Sequence, residues 1–268
     1  MVTESWVVSG PQVIELEDVR ALRVGLVGGR VDVVASEEPG ARVEVHDVHG
    51  RPLEVSLVDG VLKVGYSHTL GGWENILDKL RALSDKDAAS VHVAVPAGTR
   101  VSLATVGAEG LVVGIKEDAK VATVSGAVVV DQGSGALTAR TVSGEVTVRE
   151  HSGDIALTTV SGELTASGDL RRVTTSSVSG AVSLDLTSTT SSITANSVSG
   201  DVTVRLPEGV GLGIEANVVT GRIVVDGVDE TGGRPGRTKL DTRSGGTGCW
   251  ASVNTVSGNV TVLRRAAA

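Results

Sequence analysis

One phrase recurs along the second half of the chain: a hydroxyl residue, Val, Ser and Gly, then alternating apolar residues. It reads Thr123-Val-Ser-Gly126, Thr141-Val-Ser-Gly144, Thr159-Val-Ser-Gly162, Ser177-Val-Ser-Gly180 and Ser197-Val-Ser-Gly200. Val218-Val-Thr-Gly221 and Thr255-Val-Ser-Gly258 complete the set. The glycines are 18, 18, 18, 20, 21 and 37 residues apart, the last gap being about two periods. Weaker copies, Ser134-Gly135 and Ser152-Gly153, each fall nine residues after a strong one. A fixed period of this length is the mark of a repeat architecture.

The alternation within each copy is that of a half-buried strand. It assigns Val142, Gly144, Val146 and Val148 to the inner face, and Thr141, Ser143, Glu145 and Thr147 to the outer one. Nine is odd, so inward parity must switch between half-repeats, and a strand switches parity only through a corner. Corner residues are expected at Asp131-Gln-Gly133, Arg140-Thr141 and Glu150-His151. Each coil of about 18 residues is then two short strands and two corners, stacked at the ~4.8 Å strand spacing. Two inner columns follow: Val128, Val146, Leu164, Val182, Val202 and Ile223, then Val130, Val148, Ala166, Leu184, Val204 and Val225. The seven phrase glycines are the structural positions of the repeat, and a bend or close backbone approach is their expected role.

Composition agrees. There are 49 valines and 35 glycines but no phenylalanine, one tyrosine and three tryptophans. Rings stacked at every coil would not fit a thin aliphatic interior, and β-branched residues suit strands. The rival architecture is an antiparallel sandwich of hairpins. Its two-residue Asn-Gly or Asp-Gly code is almost absent, Asp59-Gly60 being the clearest instance. The expected fold class is therefore all-β, a stacked two-sided β-coil of β-solenoid type with one short inserted helix.

Residues 1–110 read as leading irregular β coils, and 111–268 as the regular repeat solenoid, together one continuous structural unit. Within the leading part, Trp73, Ile76, Leu77, Leu80 and Leu83 follow helical spacing. A helix over 73–83 is expected, either plugging a sheet edge or docking a partner or membrane surface through Trp73, Ile76, Leu77 and Leu80. A second echo links Val91-His-Val-Ala-Val-Pro-Ala-Gly98 to Val202-Thr-Val-Arg-Leu-Pro-Glu-Gly209. A glycine-rich loop, Gly227 to Gly236, interrupts the count.

The repeated Thr-Val-Ser-Gly-x-Val-x-Val, the Val-Pro-Ala-Gly segment and Asp59-Gly-x-Leu-x-Val64 resemble the bacterial putative-adhesin β-strand-repeat family of toastrack domains. The resemblance spans roughly residues 25–263. It implies a coiled or stacked β fold without enzymatic activity or catalytic motif. It also implies company with cell-envelope stress-response components at the bacterial membrane, while the adhesin label implies surface exposure.

The chemistry-bearing residues are sparse. Glu145 and Glu163 stand one coil apart with Asp201 further along, and a carboxylate pair can cleave glycosides. Ala127 and Ala181 interrupt the column and no aromatic platform lies nearby, so it reads as a solvated acidic face. His46, His49, His68, His92 and His151 show no ligand spacing, and Cys249 is alone. An outward ladder of Thr147, Thr165, Ser183 and Thr203 is the ordinary surface of exposed strands. A formal charge of −8 and pI ≈ 5.2 give no basic footprint for nucleic acid. The opening residues carry no basic-apolar leader and no run reaches the roughly 18 apolar residues of a membrane span. The expectation is a cytoplasmic, cofactor-free, non-catalytic scaffold for protein partners, one of which is membrane-associated. The alternatives are a surface adhesin, a polymer of end-stacked coils and a polysaccharide-active enzyme.

Overall fold

The structure is a computed structural model that describes residues 3–66, 87–231, 238–244 and 248–265. The helix expected over 73–83, with Trp73, Ile76, Leu77 and Leu80, lies outside the described residues, as does the end of the loop at 227–236. The described residues are all-β, with 24 strands and no helix. The chain divides into two compact units, residues 1–137 and 138–268.

The first unit consists of two ladders. One runs in the order β1 (Thr3–Val8), β6 (Leu53–Val58), β7 (Val61–Gly65), β3 (Ala21–Leu26), β9 (Arg100–Thr105), β11 (Ala119–Thr123). The other runs β2 (Gln12–Leu16), β5 (Ala41–His49), β8 (Ala88–Pro96), β4 (Gly28–Ser36), β10 (Glu109–Val113), β12 (Val128–Asp131). The chain alternates between them, β3 to β4, β7 to β8, β9 to β10 and β11 to β12, so each pair is one coil. Neighbouring coils pair in parallel, whereas β1, β6, β2 and β5 pair antiparallel. The residues read as irregular coils are thus regular coils plus antiparallel strands that end the parallel stack.

In the second unit, β14 (Val146–Thr159) and β15 (Leu164–Ser177) each serve both ladders. In β14 the passage is a register shift between Val148 and His151, with Glu150 at φ 48°. Gln132 and Asp226 take the same left-handed conformation. Two of the expected corners, at 131–133 and 150–151, are therefore where the alternation placed them. One ladder continues through β17 (Ser191–Ser197), β23 (Cys249–Thr255), β19 (Leu212–Val218) and the antiparallel β22 (Thr238–Ser244). The other continues through β16 (Val182–Leu186), β18 (Val202–Pro207), β24 (Val260–Arg265), β20 (Ile223–Val225) and the antiparallel β21 (Val228–Asp229).

Neither unit stacks its coils in chain order. The coil β3–β4 lies between β7–β8 and β9–β10, and the coil β23–β24 lies between β17–β18 and β19–β20. After β8, and again after β18, the chain steps over the occupied slot. Both steps begin at the echoed strand ends, Pro96-Ala-Gly98 and Pro207-Glu-Gly209. Proline donates no ladder hydrogen bond, which frees the chain to leave its row there.

Within the second unit the inner columns are as expected, with Val260 and Val262 interpolated, except that Val225 at the end of its column is half-buried. Val146, Leu164, Val182, Val202, Val260 and Ile223 are in register and at most 2% exposed. The remaining corner differs from the expectation. Thr141 points inward, and the parity switch falls at Val142-Ser-Gly144 itself. The buried hydroxyl is satisfied locally, because Thr141 donates to the Gly144 carbonyl at 2.9 Å and Thr159 to that of Gly162 at 2.9 Å. Ser177 and Ser197 do the same to Gly180 and Gly200 at 2.6 and 2.8 Å. The serine of the phrase reaches the neighbouring coil: Ser179 donates both N–H and Oγ to the Val160 carbonyl, at 2.8 and 3.2 Å.

The glycine is dictated by the same stacking. A Cβ on Gly162 would land on the carbonyl oxygen of Gly144, one on Gly180 on that of Gly162, and one on Gly200 on that of Gly180. Gly258 sits so against Gly200, Gly221 against Gly258, and Gly126 against Ala108. The close approach is between coils, along the stack, rather than across the interior.

In the first unit, β3 passes to β4 through Val27 alone, whereas residues 66–87 separate β7 from β8. Both ends of that longer connection are pinned to the neighbouring coil. The Tyr66 N–H donates to the Gly25 carbonyl at 3.3 Å, and the Gly28 N–H to that of Asp87 at 3.0 Å. The buried Asp87 carboxylate accepts the Arg51 guanidinium at 2.6 Å and the Arg51 N–H at 3.0 Å.

Gly180→Ala must drive a methyl onto backbone and is expected to cost at least about 1–3 kcal/mol in chemical denaturation. Thr159→Val, of equal size, is expected to cost about 1–2 kcal/mol through the lost buried hydrogen bond. Equal stability of wild type and Gly180→Ala would contradict the glycine column.

Candidate functional site

The corner geometry forces an exposed apolar feature. With the hydroxyl residue inside and the serine bound to the coil beneath, the valine of the phrase can only point out. Val160, Val178, Val198, Val256 and Val219 are 47, 47, 48, 49 and 42% exposed. Their order in space follows the stapling bonds: Ser179 to Val160, Ser199 to Val178, Ser257 to Val198 and Thr220 to Val256. Five valines at the strand spacing make a ridge roughly 19 Å long. The sequence reading assigned these valines to the interior; the observed hydroxyl bonds show why they are not there.

Beside the ridge, Asn196, Asn254 and Asn217 line up on adjacent strands. The Asn217 amide donates to Asn254 Oδ1 at 2.9 Å, and the Asn254 amide to Asn196 Oδ1 at 3.1 Å. Between this amide row and Val256 and Val219 runs a shallow groove of about 240 Å³, floored by Ser197 and Thr255. The outward rows continue along the same strands. Thr194, Ser252 and Glu215 stand in register, then Ser192, Trp250 and Gly213. Trp250 is 36% exposed and covers Gly213, whose Cβ would lie 2.5 Å from the ring. The sequence points to neither the amide row nor the tryptophan, because the two bonds of the row join residues 37 and 58 apart.

The other residues singled out from sequence fall elsewhere. Gly126, Gly144, Gly162, Gly180, Gly200 and Gly258 are buried in the stack, and Gly221 is exposed with φ 149°. Glu145 and Glu163 are exposed on adjacent coils, and Glu145 accepts the Thr147 hydroxyl at 3.0 Å. Asp201 is engaged by Asn259, whose backbone and side-chain amides donate to its Oδ1 at 2.7 and 3.1 Å. In the hydroxyl ladder, Thr147 is buried and Thr165, Ser183 and Thr203 are half-buried. His46 and His49 are both exposed, since a bulge between Val45 and Asp47 resets the alternation. His92 is half-buried, His151 is buried, and His68 lies outside the described residues. Among the described residues no three His, Cys, Asp or Glu side chains gather in a metal-binding cluster.

Residues 148–263 match the family described as Toastrack DUF4097. The match covers less than half of the chain, which is similar to toastrack domains over those residues. No curated protein matches it in sequence. Two crystal structures share its fold over nearly its whole length. A protein described as a "putative lipid binding protein" from Parabacteroides distasonis is 14% identical, with TM-score 0.52, covering 95% of this chain and 97% of its own. A "putative adhesin" from the same species is 13% identical, with TM-score 0.50, covering 98% and 97%. At these identities the likeness is one of architecture. Among the described residues no helix is long and apolar enough to cross a membrane.

Three titratable groups are set by their surroundings. Burial pushes the Cys249 thiol up to about 11 and, with the Asp87 carboxylate adding to it, the Tyr66 phenol up to about 12. Hydrogen bonding from the Arg264 guanidinium holds the Asp226 carboxyl below its usual range. Arg264 Nε lies 2.9 Å from Asp226 Oδ2, and the Arg264 N–H donates to Oδ1 at 2.9 Å, tying β24 to the corner after β20.

Because the folded Asp226 value is depressed, its contribution is present above the unfolded carboxylate pKa of about 3.9 and is lost as pH falls through the folded one. Asp226→Asn is therefore expected to lower the melting temperature at pH 7, with the gap to wild type closing as the pH is taken down through the carboxylate range. A gap that does not change with pH would refute the pairing. Cys249 is expected to resist thiol reagents at pH 7 until the protein is unfolded, because a buried thiol with a raised pKa presents almost no thiolate.

Proposed function

We propose that this β-repeat protein is a non-catalytic scaffold whose valine ridge seats a protein partner. One observation carries the reading: five valines exposed in a single line on a rigid corner. Isolated exposed valines are ordinary surface, but a contiguous apolar row flanked by polar groups is the composition of an interface core with its rim. The ridge is preorganised, because the carbonyls of Val160, Val178, Val198 and Val256 are each bound by the next coil, which lowers the ordering cost of association. The neighbouring groove supplies amides able to satisfy a partner's polar groups. The resemblance in the repeat residues favours a partner among membrane-associated components of the bacterial envelope-stress response.

Val178→Asp combined with Val198→Asp is expected to leave the melting temperature nearly unchanged, since both positions are about half exposed, and to abolish partner capture. The check is side-by-side affinity capture from native lysate, split into membrane and cytosol, with wild type and the double variant. Identical captured proteins would remove the ridge from the function.

A further inference from the structure

We propose that the outer face of β17, β23 and β19 binds a neutral oligosaccharide, at a site that borders the valine ridge and takes in the amide row of the groove beside it. The outward positions of β23 are Trp250, Ser252 and Asn254, which span about 13 Å of strand. Asn196 and Asn217 flank Asn254, and Glu215 stands beside Ser252. An aromatic ring, a hydroxyl, a carboxylate and three amides thus share one flat surface.

The tryptophan is held as a platform. Gly213 carries no side chain beneath it, and a Cβ there would meet ring carbons at 2.5 and 2.8 Å. The ring therefore lies over the backbone of β19 with part of its surface in solvent. A tryptophan in this position offers a broad apolar face with a polar edge. The C–H face of a pyranose matches it, and the sugar's hydroxyls remain free for polar neighbours.

The polar neighbours exclude other ligands. Each amide of the row spends at most one donor and one acceptor on its neighbour, so a second N–H or lone pair points outward. An apolar ligand would strip water from these groups without replacing it, which is costly. The nine outward positions on the three strands hold one carboxylate and no cation, and the nearest cations of the ladder stand at the flanking strands, Arg172 in register with Ser192 and Lys239 and Arg243 in register with Asn217 and Gly213, so the centre of the face favours an uncharged ligand. A polyhydroxyl chain meets the ring and the amides at once. The spacing of adjacent strands is comparable with the advance of one sugar in an extended chain. Glycoside cleavage forms no part of this proposal.

The test is titration of the whole chain with cellohexaose, chitohexaose and maltohexaose, followed by calorimetry and tryptophan fluorescence. Saturable binding of at least one sugar is expected. Trp250→Ala and Asn254→Ala should each weaken it at least tenfold, and Gly213→Ala, which lifts the ring, should also weaken it. Asn254→Ala keeps the ring in place, so the site is tested even if Trp250→Ala fails to fold. No binding of any of the three sugars overturns the proposal, as does wild-type affinity in Asn254→Ala. Binding of phosphatidylcholine vesicles or of an extended peptide, with the sugars failing to compete, overturns it too. The Val178→Asp, Val198→Asp double variant should bind sugar like wild type, so loss of the ridge reading and loss of this one are told apart.

Discussion

A carbonyl oxygen occupying the place of a Cβ is the contact on which the stacked coils depend. At the corners of Gly162, Gly180, Gly200, Gly258 and Gly221, the glycine rests on the carbonyl of a glycine in the neighbouring coil. Any side chain there would hold adjacent coils apart and break the parallel hydrogen bonds on both ladders. With the glycines seated, the coils approach to strand spacing, and the aliphatic columns from Val146 to Ile223 and from Val148 to Val204 are buried. The absence of phenylalanine follows, since a ring in one coil would have to be accommodated by its copies above and below.

The corner also decides what the surface looks like. An inward threonine hydroxyl is tolerated because the glycine carbonyl three residues on accepts it. The outward valine is the cost of that arrangement, repeated at every coil. Five such valines form an apolar line on one corner, while the adjoining face carries amides, hydroxyls and one tryptophan. Two surfaces of opposite chemistry therefore arise from one repeated phrase, and the second needed only substitutions at strand positions that the core ignores.

Much of this was legible in the residues. The odd half-period demanded a parity switch, and the columns from Val146 to Ile223 and from Val148 to Val204 are buried as that argument requires. The polar strand face and the corners at Gln132 and Glu150 were legible too. The third corner was misplaced by about two residues, because alternation alone cannot distinguish a buried, hydrogen-bonded threonine from an exposed one. The out-of-order coil was hidden for a different reason. It is a pairing between distant segments, and its only traces were the 37-residue gap from Gly221 to Gly258 and the echoed Pro-x-Gly ends. Trp250 gave no signal, since its neighbours across the sheet, Ser192 and Gly213, are remote in sequence.

The interleaved coil bears on mechanics. A terminal strand at the rim of a stack can be peeled away one hydrogen bond at a time. The segment from Cys249 to Arg265 has no such weakness, because β23 and β24 are each gripped by a neighbour on either side. Tension applied to β24 must shear its bonds to β18 and β20 together, so this coil is locked from within the stack.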